Sequence, residues 1–447
     1  MKQIDLLNGP IDSTLRRFAA PLAISFVVNL LYAWIDLFFV SKLGPSAVAA
    51  LGISERIWFF TFAVGSGFAV GSGIIIARRV GEGQPESAAN TAMQSIVLMF
   101  IMGVVLAGLL FIFLDNIQYL LGIKGDVAVL SRYYFTSFIW GVPFNFLIFQ
   151  INAIIRSAGN SAYPMYILLL SNVINVILTP ILMFGYLGTE PMGIYGAGLG
   201  TSLSYLTASM FGLFIMFKKF KIFRVNIRTL KPDPEVLKLI SRLGIPASVQ
   251  LMAVSITSMG LAANANLFGT EILSTYIIGL RVDMMVSMSI LAVGAAVEII
   301  SGQNMGAGNI DRIILYKRSA IKQLTILLLI FGVLVFILGD KIGSLFTDDV
   351  GIIYEVSIYL KFAVFGYIPF AIGIVCIRII SGAGDYMGSL KIVFFSLILL
   401  QLPGAYIFSS LTGNRISIWV STLISMVFFS IYGYLQVKKK TWVSMKL

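Results

Sequence analysis

Asp36 is the ionisable residue that stands out most clearly in this sequence. It lies in the apolar run 31–40, LYAWIDLFFV, which contains no basic residue to neutralise it. A charged side chain inside lipid costs about 3 kcal/mol on insertion scales, and an apolar setting favours the protonated carboxyl unless a cation is bound. Coupling to an ion requires this behaviour, so we expect Asp36 to exchange H⁺ or Na⁺. An interfacial carboxylate that reaches the headgroups is the alternative.

A second apolar run supplies polar side chains that match this carboxylate. Asn172, Asn175 and Thr179 fall at positions i, i+3 and i+7, which is one face of a helix. Pro180 follows and can free a backbone carbonyl there, and Thr201 opens the next apolar run. The side-chain oxygens of these asparagines and threonines are suited to bind a hard cation such as Na⁺ or to form a protonation network. Hydrogen bonding between helices is an equally open explanation.

Three further polar residues are candidates for a substrate cavity or a charge network. Arg281 and Asp283 lie in one apolar run and are spaced by two, so on a helix they point to nearly opposite faces. Gln250 is a weaker candidate for lining a cavity. For Arg281, a structural ion pair and a direct part in transport are equally open explanations. Glu298 approaches the end of its run, where we expect a solvated or structural role.

Several other chemistries are excluded by residue counts and motifs. The chain has no histidine and one cysteine, so it can form neither an internal disulfide nor a Cys/His metal cluster. The glycine pairs at 81–83 and 306–308 lack the Gly-Lys-Ser/Thr that a phosphate loop requires, so they indicate tight turns. No nucleotide-binding motif appears in the sequence, so we expect no enzyme and no cofactor, with energy supplied by an ion gradient or by the solute itself.

The composition shows what must position these residues. Hydrophobic residues make up 58% of the 447 residues and charged residues 12%, with a mean hydropathy of +0.94. A soluble domain is about half apolar and a quarter charged. Twelve apolar runs reach the length of about 20 residues that spans a bilayer, from 18–40 to 416–436. The sequence predicts an all-α membrane protein with twelve transmembrane helices in a lipid bilayer.

The basic residues follow a topology pattern. Of the 32 lysines and arginines, 24 fall in segments on one side of the predicted membrane and seven on the other, with Arg281 inside a span. By the positive-inside rule, both termini are cytoplasmic. The net charge of +12 is thus a topology signal, and we expect no nucleic-acid partner. The predicted location is the cell inner (plasma) membrane.

The sequence also repeats itself with a spacing of 225 residues. The paired positions are Pro21 and Pro246, Gly44 and Gly269, Gly81 and Gly306, Gly83 and Gly308, and Gly159 and Gly384. This predicts two six-helix bundles related by a parallel repeat, with substrate bound between them. The predicted domains are an N-terminal bundle at 1–217, a basic cytoplasmic linker at 218–242 and a C-terminal bundle at 243–447.

Several motifs together resemble the multidrug and toxic compound extrusion (MATE) family, of the wider multidrug/oligosaccharidyl-lipid/polysaccharide flippase superfamily. They extend over nearly the whole chain and include 42–45 (KLGP), 156–159 (RSAG), 193–198 (GIYGAG), 280–283 (LRVD) and 302–308 (GQNMGAG). The resemblance implies a V-shaped cleft between two bundles and antiport of organic cations against H⁺ or Na⁺. It implies an ion site at Asp36, Asn175 and Thr201. This chain has Thr179 where the family commonly has a second carboxylate, which favours H⁺ over Na⁺.

The resulting hypothesis is a monomeric secondary transporter that exports small molecules by alternating access. Ion uptake at Asp36 would shift the first helix, with bending at Pro21. A lipid-linked oligosaccharide flippase is the alternative, although such a protein should offer several buried cations and Arg281 is the only one well inside a span. A receptor or a channel is a further alternative. The duplication argues against a simple receptor, and the lack of a short re-entrant filter sequence argues against a channel.

Overall fold

The computed structural model describes residues 3–120, 122–223 and 232–445. Across these ranges the regular structure is helical, without a β-strand. Within them, twelve helices are long and apolar enough to cross a membrane. The prediction of an all-α membrane protein with twelve transmembrane helices is confirmed.

The helices fall into two sets of six. The first set is α1 Ile11–Ser41, α2 Pro45–Gly81, α3 Pro85–Ile112, α4 Gly125–Ser157, α5 Ala162–Phe184 and α6 Gly193–Lys219. The second set is α7 Pro234–Asn266, α8 Thr270–Gly306, α9 Ile310–Ser344, α10 Val350–Gly382, α11 Tyr386–Thr412 and α12 Ile416–Lys439. A short helix, Leu114–Leu120, follows α3. Most helices extend beyond the predicted apolar runs, because helical hydrogen bonding continues into the polar residues that flank each run.

The repeat is visible in the backbone geometry. Helices α2 and α8 are both 37 residues long and begin 225 residues apart. Each follows a glycine with nearly the same positive φ, +102° at Gly44 and +103° at Gly269. A Cβ at either glycine would meet no atom within 4 Å, so backbone conformation rather than space requires glycine there. The same 225-residue spacing separates the starts of α3 and α9, and of α4 and α10.

The contacts divide the described chain into two compact units. Unit 1 comprises residues 3–4 and 24–248. Its core is built from fully buried apolar side chains such as Phe146 and Ile151. Small residues allow its helices to approach closely: a Cβ at Gly103 of α3 would lie 2.6 Å from the Cα of Pro143 in α4. Such contacts are typical of helices that pack within a membrane.

Unit 2 comprises residues 5–23 and 249–445. A buried cluster that includes Leu360 and Ile418 forms part of its core. The segment before α1 is held on this unit through its backbone. The amide of Asn304 donates to the carbonyl of Leu6 at 3.2 Å, and the guanidinium of Arg312 donates to the carbonyl of Gly9 at 2.6 Å.

Helix α1 is therefore shared between the two groups of contacts. Residues 11–23 belong with unit 2 and residues 24–41 with unit 1. The predicted bundles at 1–217 and 243–447 differ from the two units in two places. Residues 5–23 belong with unit 2 rather than with the N-terminal part of the chain, and residues 243–248 at the start of α7 belong with unit 1. The difference arises because the units are defined by contacts rather than by chain order. The predicted linker at 218–242 stays a prediction, since residues 224–231 lie outside the described part of the chain.

Candidate functional site

The structure brings Asp36, Asn175 and Thr201 together in unit 1. Asp36 lies on α1 with 7% of its surface exposed, and the side chains of Asn175 on α5 and Thr201 on α6 approach its carboxylate. The Asn175 amide donates to Thr201 Oγ1 at 3.2 Å. Thr201 Oγ1 in turn donates to the backbone carbonyl of Ala197 at 3.1 Å. Three helices thus converge on one carboxylate.

Four buried oxygen atoms in this region have no hydrogen-bond partner among the described residues. They are Asp36 Oδ1, Asn175 Oδ1, Thr179 Oγ1 and the Tyr32 hydroxyl. Leaving a buried polar atom unsatisfied costs about 1–3 kcal/mol. A carboxylate, an amide carbonyl and two hydroxyls form a donor set that hard cations prefer, and a protonated carboxyl could instead donate to one of the acceptors. The residues present therefore fit a small cation or an exchangeable proton.

Thr179 reaches this region because α5 and α6 pack closely. It is completely buried, and a Cβ at Gly200 would lie 2.8 Å from Thr179 Oγ1. Glycine at position 200 therefore lets the Thr179 hydroxyl sit against the turn of α6 that carries Thr201. The contact places the predicted face of α5 toward the ion site.

An aromatic shell surrounds the site, and sequence reasoning did not identify it. The rings of Tyr32 and Tyr205 stack with their centroids 6.0 Å apart. Tyr134 stacks on Phe138 at 5.8 Å, and Phe138 meets Tyr205 edge-on at 6.5 Å. Tyr32 lies one helical turn before Asp36, and Tyr205 one turn after Thr201, so the i, i+4 spacing was a usable signal.

The observed site differs from the predicted one at two residues, Asn172 and Glu55. Asn172 is buried, but its amide donates to the carbonyl of Leu168 on its own helix at 3.0 Å. None of its described hydrogen bonds reaches Asp36, because it lies one turn away from Asn175. Glu55 on α2 was missed, and it lies close enough to interact electrostatically with Asp36.

Unit 2 contains a second buried carboxylate site, centred on Asp283 of α8. Both carboxylate oxygens accept hydrogen bonds from tyrosine hydroxyls of α10: Tyr359 donates at 2.5 Å and Tyr367 at 2.8 Å. The Tyr359 ring packs edge-on against Trp419 with a centroid distance of 4.7 Å. A Cβ at Gly279 would clash with the Tyr359 ring, so glycine at that position makes room for the tyrosine.

A cavity of about 140 Å³ opens beside this carboxylate. Its lining is mainly aromatic and apolar, and consists of Asp283, Ser287, Tyr359, Phe362, Ala363, Gly366, Tyr367, Phe370, Trp419, Thr422, Leu423 and Met426. Arg281 is exposed and Gln250 is half-buried, and neither is among these lining residues. The structure thus places Asp283 on this cavity and separates the other two predicted residues from it.

Glu298 has the structural role that the sequence analysis allowed. Its side chain is 4% exposed. It forms an ion pair with Arg378 at 2.8 Å, and the Tyr386 hydroxyl donates to its other oxygen at 2.5 Å. The three residues tie α8, α10 and α11 together inside unit 2.

Comparison with known proteins decides the family. A model described as MatE matches residues 21–181 and 246–407, one segment in each half of the repeat. The matched segments together span well over half of the chain. The chain belongs to the MatE family.

Similar proteins cover nearly all of this MatE chain. The probable multidrug resistance protein YoeA of Bacillus subtilis (strain 168) is 29% identical over 94% of this chain and 92% of its own length. The multidrug export protein MepA of Staphylococcus aureus (strain MRSA252) is 25% identical over 92% of this chain and 90% of its own length.

Solved structures match equally widely. The outward-facing conformation of a multidrug resistance MATE family transporter of the MOP superfamily has a TM-score of 0.91 and 26% identity, and 98% of each chain is covered. A MOP superfamily transporter from Pyrococcus furiosus Vc1 has a TM-score of 0.91 and 25% identity, over 100% of this chain and 99% of that one. The MatE family is a family of transporters, so the prediction that this chain is not an enzyme is confirmed.

Proposed function

We propose that this chain is a secondary active multidrug exporter that moves organic cations outward in exchange for H⁺ or Na⁺. The observation that carries the proposal is the buried Asp36 carboxylate with unsatisfied oxygens around it. Relatives of similar length are described as a multidrug resistance protein and a multidrug export protein, which supports the substrate class.

The coupling step follows from electrostatics at Asp36. A bare carboxylate in this setting is unfavourable because it is removed from water. Binding one H⁺ or one Na⁺ neutralises it, and Na⁺ also satisfies the oxygens of Asn175 and Thr179. The ion can drive transport only if it binds one conformation better than the other. The conformation that gathers these oxygens around Asp36 is therefore the one that the ion stabilises.

Helix α1 is suited to carry this event through the protein. Asp36 lies in the part of the helix that belongs with unit 1, and Pro21 lies in the part that belongs with unit 2. Proline inside a helix removes one backbone hydrogen bond and lowers the cost of a bend. Under the proposal, ion binding at Asp36 changes the path of α1 at Pro21 and alternates access to the substrate.

A flippase for lipid-linked oligosaccharides would need different chemistry. A pyrophosphate requires cationic partners such as arginine or lysine. The described lining of the unit 2 cavity contains one carboxylate and neither of those residue types. This supports a cationic substrate rather than an anionic one.

The remaining parts of the proposal concern location and assembly. The charge asymmetry of the predicted loops supports cytoplasmic termini in the plasma membrane. Each unit buries a site built from its own residues, which supports a working monomer.

Transport of ethidium into or out of reconstituted vesicles tests the proposal. Wild type, Asp36→Asn and the exposed-carboxylate control Asp126→Asn are compared under a pH gradient and, separately, under a Na⁺ gradient. We expect wild type and the control to respond to one of the gradients and Asp36→Asn to lose that response while remaining folded. Full gradient-driven transport by Asp36→Asn would refute the coupling role. No transport by wild type under either gradient would refute the exporter assignment.

A further inference from the structure

The unit 2 cavity takes no part in the coupling step proposed for Asp36, yet it has the features of a binding site. It combines one buried carboxylate with five aromatic side chains: Tyr359, Phe362, Tyr367, Phe370 and Trp419. Ligand sites are typically concave and apolar, with few polar groups that fix orientation. The indole Nε1 of Trp419 is buried and has no acceptor among the described residues, which leaves a donor for a polar atom of a ligand.

The hydrogen bonds at Asp283 orient the carboxylate without cancelling its charge. Both donors are neutral hydroxyls, from Tyr359 and Tyr367. An ionised carboxylate has about four lone-pair sites, so accepting two hydrogen bonds leaves others for a further partner. A cation that enters the cavity would meet a fixed negative charge.

We propose that this cavity binds the ammonium group of an organic cation, with Asp283 as the counter-ion and the aromatic side chains as cation–π walls. The inference rests on the proposed export of organic cations and names the residues that receive them. Binding needs no ion gradient, so it can be measured apart from transport.

The lining argues for an organic rather than an inorganic cation. Inorganic cations prefer a shell of oxygen ligands, such as the one around Asp36. Here Ser287 and Thr422 are the only lining side chains besides the tyrosines that carry a hydroxyl. The rest of the wall consists of aromatic rings, small or aliphatic residues and the flexible Met426, and methionine-containing apolar surfaces accommodate ligands of varied shape.

The repeat indicates that this arrangement is particular to unit 2. At the 225-residue spacing, Asp283 corresponds to Trp58 and Tyr359 to Tyr134. The tyrosine is thus present in both units, whereas a carboxylate at this place occurs in unit 2 alone. An acid introduced into an apolar helix at a cost of about 3 kcal/mol needs a compensating partner, and a bound cation provides it.

Equilibrium binding of benzyltrimethylammonium to the full-length protein in nanodiscs, without any gradient, tests the inference. Asp283→Asn keeps the side-chain shape and removes the charge, and Asp348→Asn is the matched control in an exposed loop of unit 2. We expect at least tenfold weaker binding in Asp283→Asn and unchanged binding in the control. Wild-type affinity in Asp283→Asn, or saturable displacement by Na⁺ alone, would overturn the proposal.

A second variant keeps the test decisive if Asp283→Asn does not fold. Phe370→Leu retains an apolar wall and removes one ring. A cation–π contact predicts about two- to fivefold weaker binding of benzyltrimethylammonium, with no change for its neutral isostere neopentylbenzene. Equal losses for both ligands would contradict the cation–π role. If wild type binds the cation but shows no gradient-driven transport, the proposed function is refuted and this inference stands. If wild type transports but both variants bind the cation as wild type does, this inference is refuted and the proposed function stands.

Discussion

Removing the Thr179 hydroxyl distinguishes an ion site from an ordinary packed helix contact. The side chain is completely buried, and its Oγ1 has no hydrogen-bond partner among the described residues. Thr179→Val removes this oxygen and keeps the branched shape. Without a bound ion, the variant should be more stable by about 1–3 kcal/mol, since an unsatisfied buried hydroxyl is no longer present.

The expected change in melting temperature follows from chain length. Unfolding entropy is about 2 cal/mol/K per residue. For a chain of 447 residues that unfolds as one unit, this gives about 1 kcal/mol/K, so the melting temperature should rise by about 1–3 °C. In the presence of the coupling ion the variant lacks one ligand oxygen. Its ion affinity should fall roughly tenfold, because 1.4 kcal/mol corresponds to one decade.

Thermal unfolding in nanodiscs measures both effects. The melting temperature is recorded without Na⁺ at alkaline pH, and then as a function of Na⁺ concentration and, separately, of pH. The control is Thr207→Val on α6, where the hydroxyl is exposed and donates to the carbonyl of Leu203 at 2.9 Å. If Thr179→Val is destabilised without the ion, or if its ion response equals that of wild type, Thr179 is not an ion ligand.

Two further predictions concern charges outside the ion site. Arg378→Met leaves Glu298 as a buried unpaired charge, so we expect the free energy of unfolding to fall by about 3–5 kcal/mol. The double variant with Glu298→Gln should recover most of this stability. Thermal melts in which the double variant is no more stable than the single one would contradict this expectation. The pKa of Asp5 is lowered because the backbone N–H of Asn8 donates to its carboxylate. The turn it forms should therefore be stable above the ordinary pKa of 3.8 and should loosen as the pH falls through the lower folded value. Proteolysis of the N-terminal segment as a function of pH, with Asp5→Asn as a variant lacking this dependence, checks that expectation.

The helix count and the central carboxylate were accessible from sequence, because each depends on local pattern. Twelve apolar runs give twelve helices, and a lone acid such as Asp36 in an apolar run is conspicuous. The face of α5 carrying Asn175 and Thr179 follows from helical periodicity. These inferences need no knowledge of which helices are neighbours.

The partners of the buried charges were not accessible, because they depend on helix rotation and neighbour choice. Tyr359 and Tyr367 look like ordinary core aromatics in sequence, yet they donate to a carboxylate 76 and 84 residues away. The Glu298–Arg378 pair spans 80 residues. The division of α1 between two units likewise depends on tertiary contacts, which a hydropathy pattern does not contain.

The two units show how one duplicated scaffold can hold different chemistry. Tyr134 and Tyr359 occupy the same place in the repeat, and each lies beside a buried carboxylate. The carboxylates themselves come from different helices. Asp36 on α1 corresponds to Leu261 in the second half, and Asp283 on α8 corresponds to Trp58 in the first.

The two halves can carry their acids on different helices because the features that define the helices do not involve Asp36 or Asp283. Helix ends are set by glycines such as Gly44 and Gly269, whose φ angles agree to within about a degree, and helix contacts are set by small and apolar residues. Both acids have aromatic neighbours, but the acid of unit 1 lies beside the unsatisfied oxygens of Asn175 and Thr179, whereas the acid of unit 2 faces a cavity with a mainly aromatic and apolar lining. This difference is why we assign an inorganic ion or a proton to the first and an organic cation to the second.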